Sequence, residues 1–186
     1  MNGRGKLKSH VLKEMISEDT IRARVRELGR QISDDYKGEN VLAIGVLKGS
    51  VIFMSDLVRE MDGVNVEIAF LAVSSYEGTD STGSVRLLYD LDKPLEGVNL
   101  LIVEDILDTG NTLTYLKNTL SVRNPATMKI VALLDKPDRR VAPISLDYKG
   151  FTIEDKFVVG YGLDYDGYYR NLKNICTVEF TDSKSD

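Results

Sequence analysis

The sequence predicts an α/β fold, a single domain with a mostly parallel, twisted β-sheet flanked by helices. Two observations predict this class. Short runs of consecutive apolar residues, typical of strands buried on both faces, alternate with longer segments in which apolar residues recur every three or four positions, which is typical of helices. A chain of 186 residues is also long enough for one domain to bury its own core, and we expect residues 1–186 to form that domain.

The first half of the chain shows this alternation in four segments. Ser17 is a suitable N-cap, because its hydroxyl can accept a hydrogen bond from the first helical turn and two acidic residues follow it. Apolar residues then recur at helical spacing, and Gly38 ends the region. The predicted elements are a helix after Ser17, a strand at 41–46, a helix capped by Ser50 and a strand at 64–73.

The second half continues the alternation after an interruption. Residues 74–84 are small, polar and rich in glycine, which predicts a long loop of the kind that often forms a lid. Residues 135–155 contain two prolines and are expected to be irregular. The predicted elements are strands at 85–91, 98–103, 128–134, 157–161 and 175–180, and a helix with Leu113, Leu116 and Leu120 on its buried side.

The composition excludes several classes of protein. The formal net charge of −5 and the pI near 5.0 argue against binding to a nucleic-acid backbone. No apolar run approaches the roughly 20 residues that cross a bilayer, and no apolar segment follows the basic N-terminus as in a signal peptide. A single cysteine cannot form an intramolecular disulfide, which indicates a cytoplasmic location. We expect Cys176 in a buried strand and His10 at the surface.

The segment 101–113 carries the clearest chemical signal. A buried strand delivers two adjacent carboxylates, Glu104 and Asp105, to its carboxyl end, where ligands bind in open parallel sheets. The turn at 108–112 then opens a helix, whose N-terminal N–H groups and dipole attract a phosphate. Paired carboxylates beside it suit a polyhydroxylated sugar or a Mg²⁺ ion. The alternative is an ordinary strand–turn–helix with Asp108 as the N-cap.

The string 104–112, EDILDTGNT, resembles the ribose-5-phosphate signature of the phosphoribosyltransferases. Further segments resemble, in the same order and at similar spacing, the hypoxanthine-guanine enzymes of that family. They are Leu47-Lys48-Gly49, Ser75-Tyr76, Lys136, the string KFVVGYGLDY at 156–165, and Arg170. The resemblance covers about residues 41–179. It implies a type I phosphoribosyltransferase fold with a small hood formed by the N-terminal segment and about residues 140–186.

The resemblance implies an activity in purine salvage. The 5-phosphoribosyl group would pass from phosphoribosyl pyrophosphate to hypoxanthine or guanine, giving IMP or GMP and pyrophosphate. Mg²⁺ would be the cofactor, held by Asp164, Glu104 and Asp105. Lys48, Gly49 and Arg170 would bind pyrophosphate, next to a Leu47–Lys48 peptide bond that is cis in relatives. The phosphoribosyl group would be held by Glu104, Asp105, Asp108, Thr109, Gly110, Asn111 and Thr112.

The resemblance also implies how the purine is held. Asp108 would be the general base near N7. Lys136 would donate a hydrogen bond to the oxygen at position 6 and so reject adenine, whose amino group is a donor as well. Phe157 would stack on the ring, and the backbone around Val158 and Asp164 would contact its far edge.

Several alternatives stay open. Taken singly, Lys136 could be a solvated charge, Phe157 a core residue and Asp164 a turn residue. Asn111 departs from relatives that carry Lys there, which puts the phosphate affinity in question. The four tyrosines near the C-terminus either form an aromatic platform or pack the hood: Tyr161, Tyr165, Tyr168 and Tyr169.

The resemblance implies small-molecule partners only, a 6-oxopurine and phosphoribosyl pyrophosphate, with no nucleic acid and no membrane. It also implies a homodimer or a homotetramer, and it places Ser75 and Tyr76 on a lid. Two other functions remain possible at this point. One is a regulator of the same fold that binds RNA and senses nucleotides, and the other is a transferase for xanthine or a pyrimidine.

Overall fold

The computed structural model describes residues 7–75 and 85–181, and for Ser75 only the backbone. The rest of the predicted lid, including Tyr76, lies outside the described residues. The described helices are α1 (Glu18–Asp35), α2 (Val51–Arg59) and α3 (Asn111–Ser121). The described strands are β1 (His10–Ile16), β2 (Asn40–Leu47), β3 (Asn65–Ser75), β4 (Val85–Tyr89), β5 (Asn99–Leu107), β6 (Thr127–Asp135), β7 (Tyr148–Thr152), β8 (Val158–Val159) and β9 (Ile175–Phe180).

Six of these strands form the main sheet, in the order β4-β3-β2-β5-β6-β7. All neighbours in it are parallel except β4, which runs antiparallel to β3 at one edge. The chain passes from β2 to β3 through α2 and from β5 to β6 through α3, and such crossovers bring the carboxyl ends of the parallel strands to one edge. The predicted mostly parallel sheet is therefore confirmed.

Helices cover both faces of this sheet. Side chains of α1 and α2, including Leu28 and Phe53, pack on one face, and Leu113, Leu116 and Leu120 of α3 pack on the other. The central strands β2, β5 and β6 are buried on both faces, which explains their runs of consecutive apolar residues. Ser17 caps α1 as predicted, since its Oγ accepts a hydrogen bond from the Thr20 N–H at 3.3 Å.

A second, antiparallel sheet of three strands, in the order β1-β9-β8, forms the hood. Cys176 is buried in β9, as predicted. His10, predicted at the surface, is half-buried and bonds to the Lys8 carbonyl oxygen at 2.6 Å and to the Tyr169 hydroxyl at 2.8 Å. The Tyr165 and Tyr169 rings also meet the His10 ring edge-on, so these two tyrosines pack the hood.

Some sequence predictions for individual elements were wrong. Ser50 does not cap α2 with its side chain, because its hydroxyl donates back to the Val46 carbonyl oxygen at 2.7 Å. Residues 135–155 are not wholly irregular, since they contain a 3₁₀ turn (Pro137–Arg139) and β7, which lies at the edge of the main sheet rather than in the hood. Strand β5 continues beyond residue 103 to Leu107.

The described part of the chain contains no helix whose length and apolar character would allow it to cross a membrane.

A polar cluster joins α1 to the edge of the main sheet. Nζ of Lys129 lies 2.7 Å from Oδ2 of Asp35 and 3.0 Å from the Tyr148 hydroxyl, which itself donates to Oδ2 at 2.6 Å. The ammonium group also lies 4.9 Å from the centre of the Tyr36 ring. The hydrogen bonds from Lys129 and Tyr148 lower the pKa of Asp35, so the cluster stabilises the folded state while Asp35 is charged.

We expect Lys129→Met to lower the free energy of unfolding at pH 7 by about 1 kcal/mol, a modest value because the ion pair is partly exposed. Because the folded state depresses the pKa of Asp35, this contribution is present above the unfolded pKa, near 4, and is lost as the pH falls through the folded value. Urea unfolding at pH 7 and at pH 3 measures both effects.

The matched control is Lys93→Met, since the Lys93 side chain is also 31% exposed and pairs with Glu67. Its loss should be smaller, because within the described part of the chain that pair has neither the ring contact nor the third hydrogen-bonding partner of the Lys129 cluster. Equal losses in the two variants, or a Lys129→Met loss as large at pH 3 as at pH 7, would contradict the role given to the cluster.

Candidate active site at the carboxyl ends of the strands

The centre of the candidate site lies where β5 and β6 end side by side. Leu107 at the end of β5 pairs with Asp135 at the end of β6, and the N–H of Lys136 donates to the Leu107 carbonyl oxygen at 2.9 Å. Asp108 is the residue after the end of β5, and Lys136 is the residue after the end of β6. Strand pairing therefore brings together an acid and a base that are 28 positions apart in the sequence.

Two adjacent carboxyl groups, those of Glu104 and Asp105, lie on β5 shortly before Asp108. Asp105 is 9% exposed, and its Oδ1 accepts a hydrogen bond from the Ile106 N–H at 2.8 Å. Oε2 of Glu104 is buried and has no hydrogen-bond partner among the described residues. Burial, followed by the neighbouring Asp105 charge, raises the pKa of Glu104 well above its usual value. Burial also raises the pKa of Asp105, against the hydrogen bonds it accepts and the nearby Arg170 charge.

The loop after β5 leads directly into α3. Gly110 precedes the helix at a φ of 87°, a left-handed conformation that glycine adopts without a steric penalty. No side chain caps the helix, so Asp108 is not its N-cap and the first-turn N–H groups have no partner within the helix. The Thr109 carbonyl oxygen accepts hydrogen bonds from the N–H groups of Val141 and Ala142, at 2.9 and 3.0 Å, which fixes the loop against the segment 141–142.

The loop between β2 and α2 packs directly against Asp105. A Cβ atom on Gly49 would overlap Oδ2 of Asp105, and a Cβ atom on Gly162 would overlap the Gly49 carbonyl oxygen. These three segments can approach so closely only because glycine has no side chain. The Leu47–Lys48 peptide bond is cis, and the Lys48 side chain is exposed.

An ion pair from the hood faces the same loop. Nη2 of Arg170 lies 2.6 Å from Oδ1 of Asp164, and Nη1 donates to the Gly162 carbonyl oxygen at 2.5 Å. Oδ2 of Asp164 accepts a hydrogen bond from the Gly167 N–H at 2.6 Å, so Asp164 is also a turn residue. The backbone contact of Gly162 with Gly49 therefore places this pair beside the β2–α2 loop.

One side of the candidate site is formed by Lys136 and the start of the hood. Lys136 is 6% exposed, and its Nζ donates to the Lys156 carbonyl oxygen at 2.6 Å. Phe157 is 45% exposed and lies nearly parallel to the Phe180 ring, with the ring centres 6.2 Å apart. Lys136 is thus not a solvated charge and Phe157 is not a core residue, which removes the plain alternative for each. Val158 is buried next to them.

The arrangement combines three chemical abilities. The first-turn N–H groups of α3, of which that of Asn111 makes only a long 3.5 Å bond to Thr109 Oγ1, can bind a phosphate. Buried carboxyl oxygens can accept hydrogen bonds from hydroxyl groups or hold a hard cation. A carboxylate at Asp108 and an ammonium at Lys136, carried by the adjacent ends of β5 and β6, can accept and donate hydrogen bonds to one edge of a flat ring.

Comparison with known proteins agrees with this arrangement. Residues 14–166 match the family model described as "Phosphoribosyl transferase domain". The hypoxanthine phosphoribosyltransferase of Escherichia coli K12 is 46% identical over 176 residues, which cover 93% of this chain and 98% of that protein. The structure superposes on the hypoxanthine phosphoribosyltransferase of Staphylococcus aureus with a TM-score of 0.86 and 46% identity, covering 90% of this chain and 91% of that one.

The chain belongs to the phosphoribosyltransferase family. A longer relative, the bifunctional protein TilS/HprT of Listeria monocytogenes, is 44% identical over 176 residues. Those residues are 94% of this chain but only 27% of that protein.

The phosphoribosyltransferase fold brings most of the predicted site residues to one edge of the sheet. Those described there lie on β5 and its loop, on the β2–α2 loop, after β6 and in the hood: Glu104, Asp105, Asp108, Thr109, Gly110, Asn111, Thr112, Lys48, Gly49, Lys136, Phe157, Val158, Asp164 and Arg170. The predicted lid is the exception, because Tyr76 and the Ser75 side chain lie outside the described residues.

Sequence reasoning missed two charged residues of this site. Nε of Arg139 lies 2.9 Å from Oδ1 of Asp108, and Nη1 lies 3.5 Å from Oδ1 of Asp155. The available signal was the basic pair Arg139-Arg140 three positions after Lys136, which the expectation of an irregular loop obscured. Arg140 pairs instead with Asp135 beneath the loop.

We expect Gly49→Ala to be more destabilising than Gly38→Ala. The added methyl group would overlap the Asp105 carboxylate, whereas at Gly38 no atom lies within 4 Å and the only penalty is the positive φ. The loss at Gly49 should reach about 2–4 kcal/mol, against about 1 kcal/mol at Gly38. Chemical unfolding of the two variants measures the difference, and an equal loss would show that Gly49 has room for a side chain.

Proposed function

We propose that this chain transfers the 5-phosphoribosyl group from phosphoribosyl pyrophosphate to a 6-oxopurine, hypoxanthine or guanine, giving the nucleotide and pyrophosphate. The single observation that carries the proposal is the pairing of the β5 and β6 ends, which sets Asp108 beside Lys136 above an open helix N-terminus. The relatives named for this reaction support it, since they align over nearly the whole chain.

The phosphoribosyl end of the substrate fits the loop 108–112. A 5′-phosphate can accept hydrogen bonds from the N–H groups of the first turn of α3, with hydroxyl donors from Thr109 and Thr112. The ribose hydroxyls can donate to the buried carboxyl groups of Glu104 and Asp105, which gives the unpartnered Oε2 of Glu104 a hydrogen bond.

The pyrophosphate fits the opposite side of the site. The exposed Lys48 side chain, the backbone at Gly49 and the Arg170 guanidinium can neutralise the negative charge that develops on the leaving group. Arg170 is bound to Asp164 in the structure, so pyrophosphate and Asp164 compete for the same donors.

The purine fits between Phe157 and the end of β5. Its ring can stack on the exposed face of Phe157. Lys136, held by its bond to the Lys156 carbonyl oxygen, can donate a second hydrogen bond to the oxygen at position 6. Asp108 can accept the proton from N7 as the other nitrogen of the five-membered ring bonds to the ribose C1 and the bond between C1 and pyrophosphate breaks.

Mg²⁺ is the proposed cofactor, and the donor set fits it, because Glu104, Asp105 and Asp164 offer the oxygen ligands that this ion prefers. Among residues 7–75 and 85–181, no three acidic, histidine or cysteine side chains are grouped to hold a metal ion. We propose that the ion takes its other ligands from the pyrophosphate and water. When bound it would neutralise charge on the leaving group.

The test is a spectrophotometric assay with hypoxanthine, guanine, xanthine, adenine and uracil, each with phosphoribosyl pyrophosphate and Mg²⁺. We expect turnover with hypoxanthine and guanine and at least 100-fold lower kcat/KM with adenine, because adenine presents a donor to the buried Lys136 ammonium. Removal of metal by EDTA should abolish turnover. Faster turnover with xanthine or uracil, or none with any base, would refute the proposal.

We expect Asp108→Asn to lower kcat by 10²–10⁴-fold, the typical loss for a missing general base, while phosphoribosyl pyrophosphate still binds. The amide keeps the size of the side chain but cannot take up the proton. Steady-state kinetics and calorimetric titration with phosphoribosyl pyrophosphate separate the two effects. A variant with the wild-type kcat would remove Asp108 from the mechanism.

The resemblance also supports several proposals about context. We propose that the chain acts as one domain, in the cytoplasm, as a homodimer or homotetramer, without nucleic-acid or membrane partners. Sedimentation velocity at several protein concentrations would distinguish the dimer from the tetramer.

A further inference from the structure

Arg139 belongs to a chain of ion pairs that links Asp108 to Lys136, the two side chains that face the purine in the proposed function. Its Nε is 2.9 Å from Oδ1 of Asp108, and its Nη1 is 3.5 Å from Oδ1 of Asp155. The same oxygen of Asp155 is 3.6 Å from Nζ of Lys136. The four charged groups therefore alternate in sign, in the order Asp108, Arg139, Asp155 and Lys136.

The backbone fixes Arg139 on both sides. Before it, the Lys136 N–H donates to the Leu107 carbonyl oxygen, and the 3₁₀ turn brings the Arg139 N–H to 3.2 Å from the Lys136 carbonyl oxygen. After it, Val141 and Ala142 both donate to the Thr109 carbonyl oxygen. The segment that carries Arg139 is thus bound to the same loop that carries Asp108.

The ion pair distinguishes the two oxygens of Asp108. Oδ1 is buried and contacts the Arg139 guanidinium, although the angle is not that of a hydrogen bond. The Asp108 side chain is nevertheless 37% exposed. The accessible part of the carboxylate is therefore Oδ2, the oxygen that remains open to an N–H group of an incoming ring.

We propose that Arg139 is a positioning residue that acts through Asp108. It holds Oδ1 so that Oδ2 faces the purine. This inference rests on the proposed function, because it assigns Arg139 a part in that same reaction.

The expected effect is moderate. Both partners are partly exposed, at 46% for Arg139 and 37% for Asp108, so solvent screens the attraction and orientation is the main contribution. A misplaced catalytic group can lower the rate by up to about 100-fold. We expect Arg139→Gln to lower kcat about tenfold and to leave the KM for phosphoribosyl pyrophosphate unchanged, since Arg139 contacts the purine side of the site.

Two further variants test the charge itself. Arg139→Lys, which keeps a positive charge near Oδ1, should turn over faster than Arg139→Gln. Arg123→Gln is the matched control, because Arg123 forms an ion pair with Asp90 at 2.5 Å outside the site, and its kcat should equal that of the wild type. Equal rates for Arg139→Lys and Arg139→Gln, or a wild-type rate for Arg139→Gln, would overturn the inference.

The decisive experiment measures Arg139→Gln again in an Asp108→Asn background, by single-turnover kinetics. If Arg139 acts through Asp108, the substitution causes no further loss there. A tenfold loss in both backgrounds would mean that Arg139 acts independently of Asp108, and the inference would be wrong. If the wild type is active and the effect of Arg139→Gln is the same with and without Asp108→Asn, this inference alone is refuted. If the wild type is inactive with every base, the proposed function is refuted and this inference with it.

Discussion

The site depends on one constraint, the burial of two adjacent carboxyl groups at the end of a central strand. Glu104 and Asp105 follow four buried apolar residues of β5. Asp105 is 9% exposed, and Oε2 of Glu104 is buried although Glu104 as a whole is half-buried. The raised pKa values of both groups express the cost of this burial. A fold keeps such a pair when a ligand supplies what the protein leaves out, hydroxyl donors or a cation, and the unpartnered Oε2 of Glu104 is where that need is clearest.

The rest of the site is built around that pair by backbone rather than by side chains. Gly49 lies against the Asp105 carboxylate, and Gly162 lies against Gly49, so the β2–α2 loop and the hood reach β5 without intervening side chains. On the other side, the segment 136–142 is hydrogen-bonded to Leu107 and Thr109. A site fixed by backbone contacts on two sides can tolerate changes at its exposed side chains more readily than changes at its glycines.

Much of this could be predicted from the sequence, and the reasons are local. The buried strands β2, β5 and β6 are visible in the sequence as apolar runs, and the string 104–112 contains both acids and the loop 108–112 within nine residues. Strand β1 was not predicted, because Lys13 and Glu14 interrupt its alternation and its partner β9 lies at the other end of the chain. The Asp108–Arg139 pair was not predicted either, because its partners are distant in the sequence and meet only where the ends of β5 and β6 lie side by side.

Three charged side chains of the site already have partners before any substrate is considered. Arg170 binds Asp164, Arg139 binds Asp108, and Lys136 binds a backbone carbonyl oxygen. An anionic or polar substrate must therefore exchange one set of partners for another, and it gains only the difference between the two sets. A ligand that replaces just one of these contacts gains little, whereas one that presents phosphate, hydroxyl and ring edge together can replace several at once. Prior pairing thus favours a ligand with all three groups, and in a protein with a net charge of −5 it disfavours the binding of anions over the whole surface.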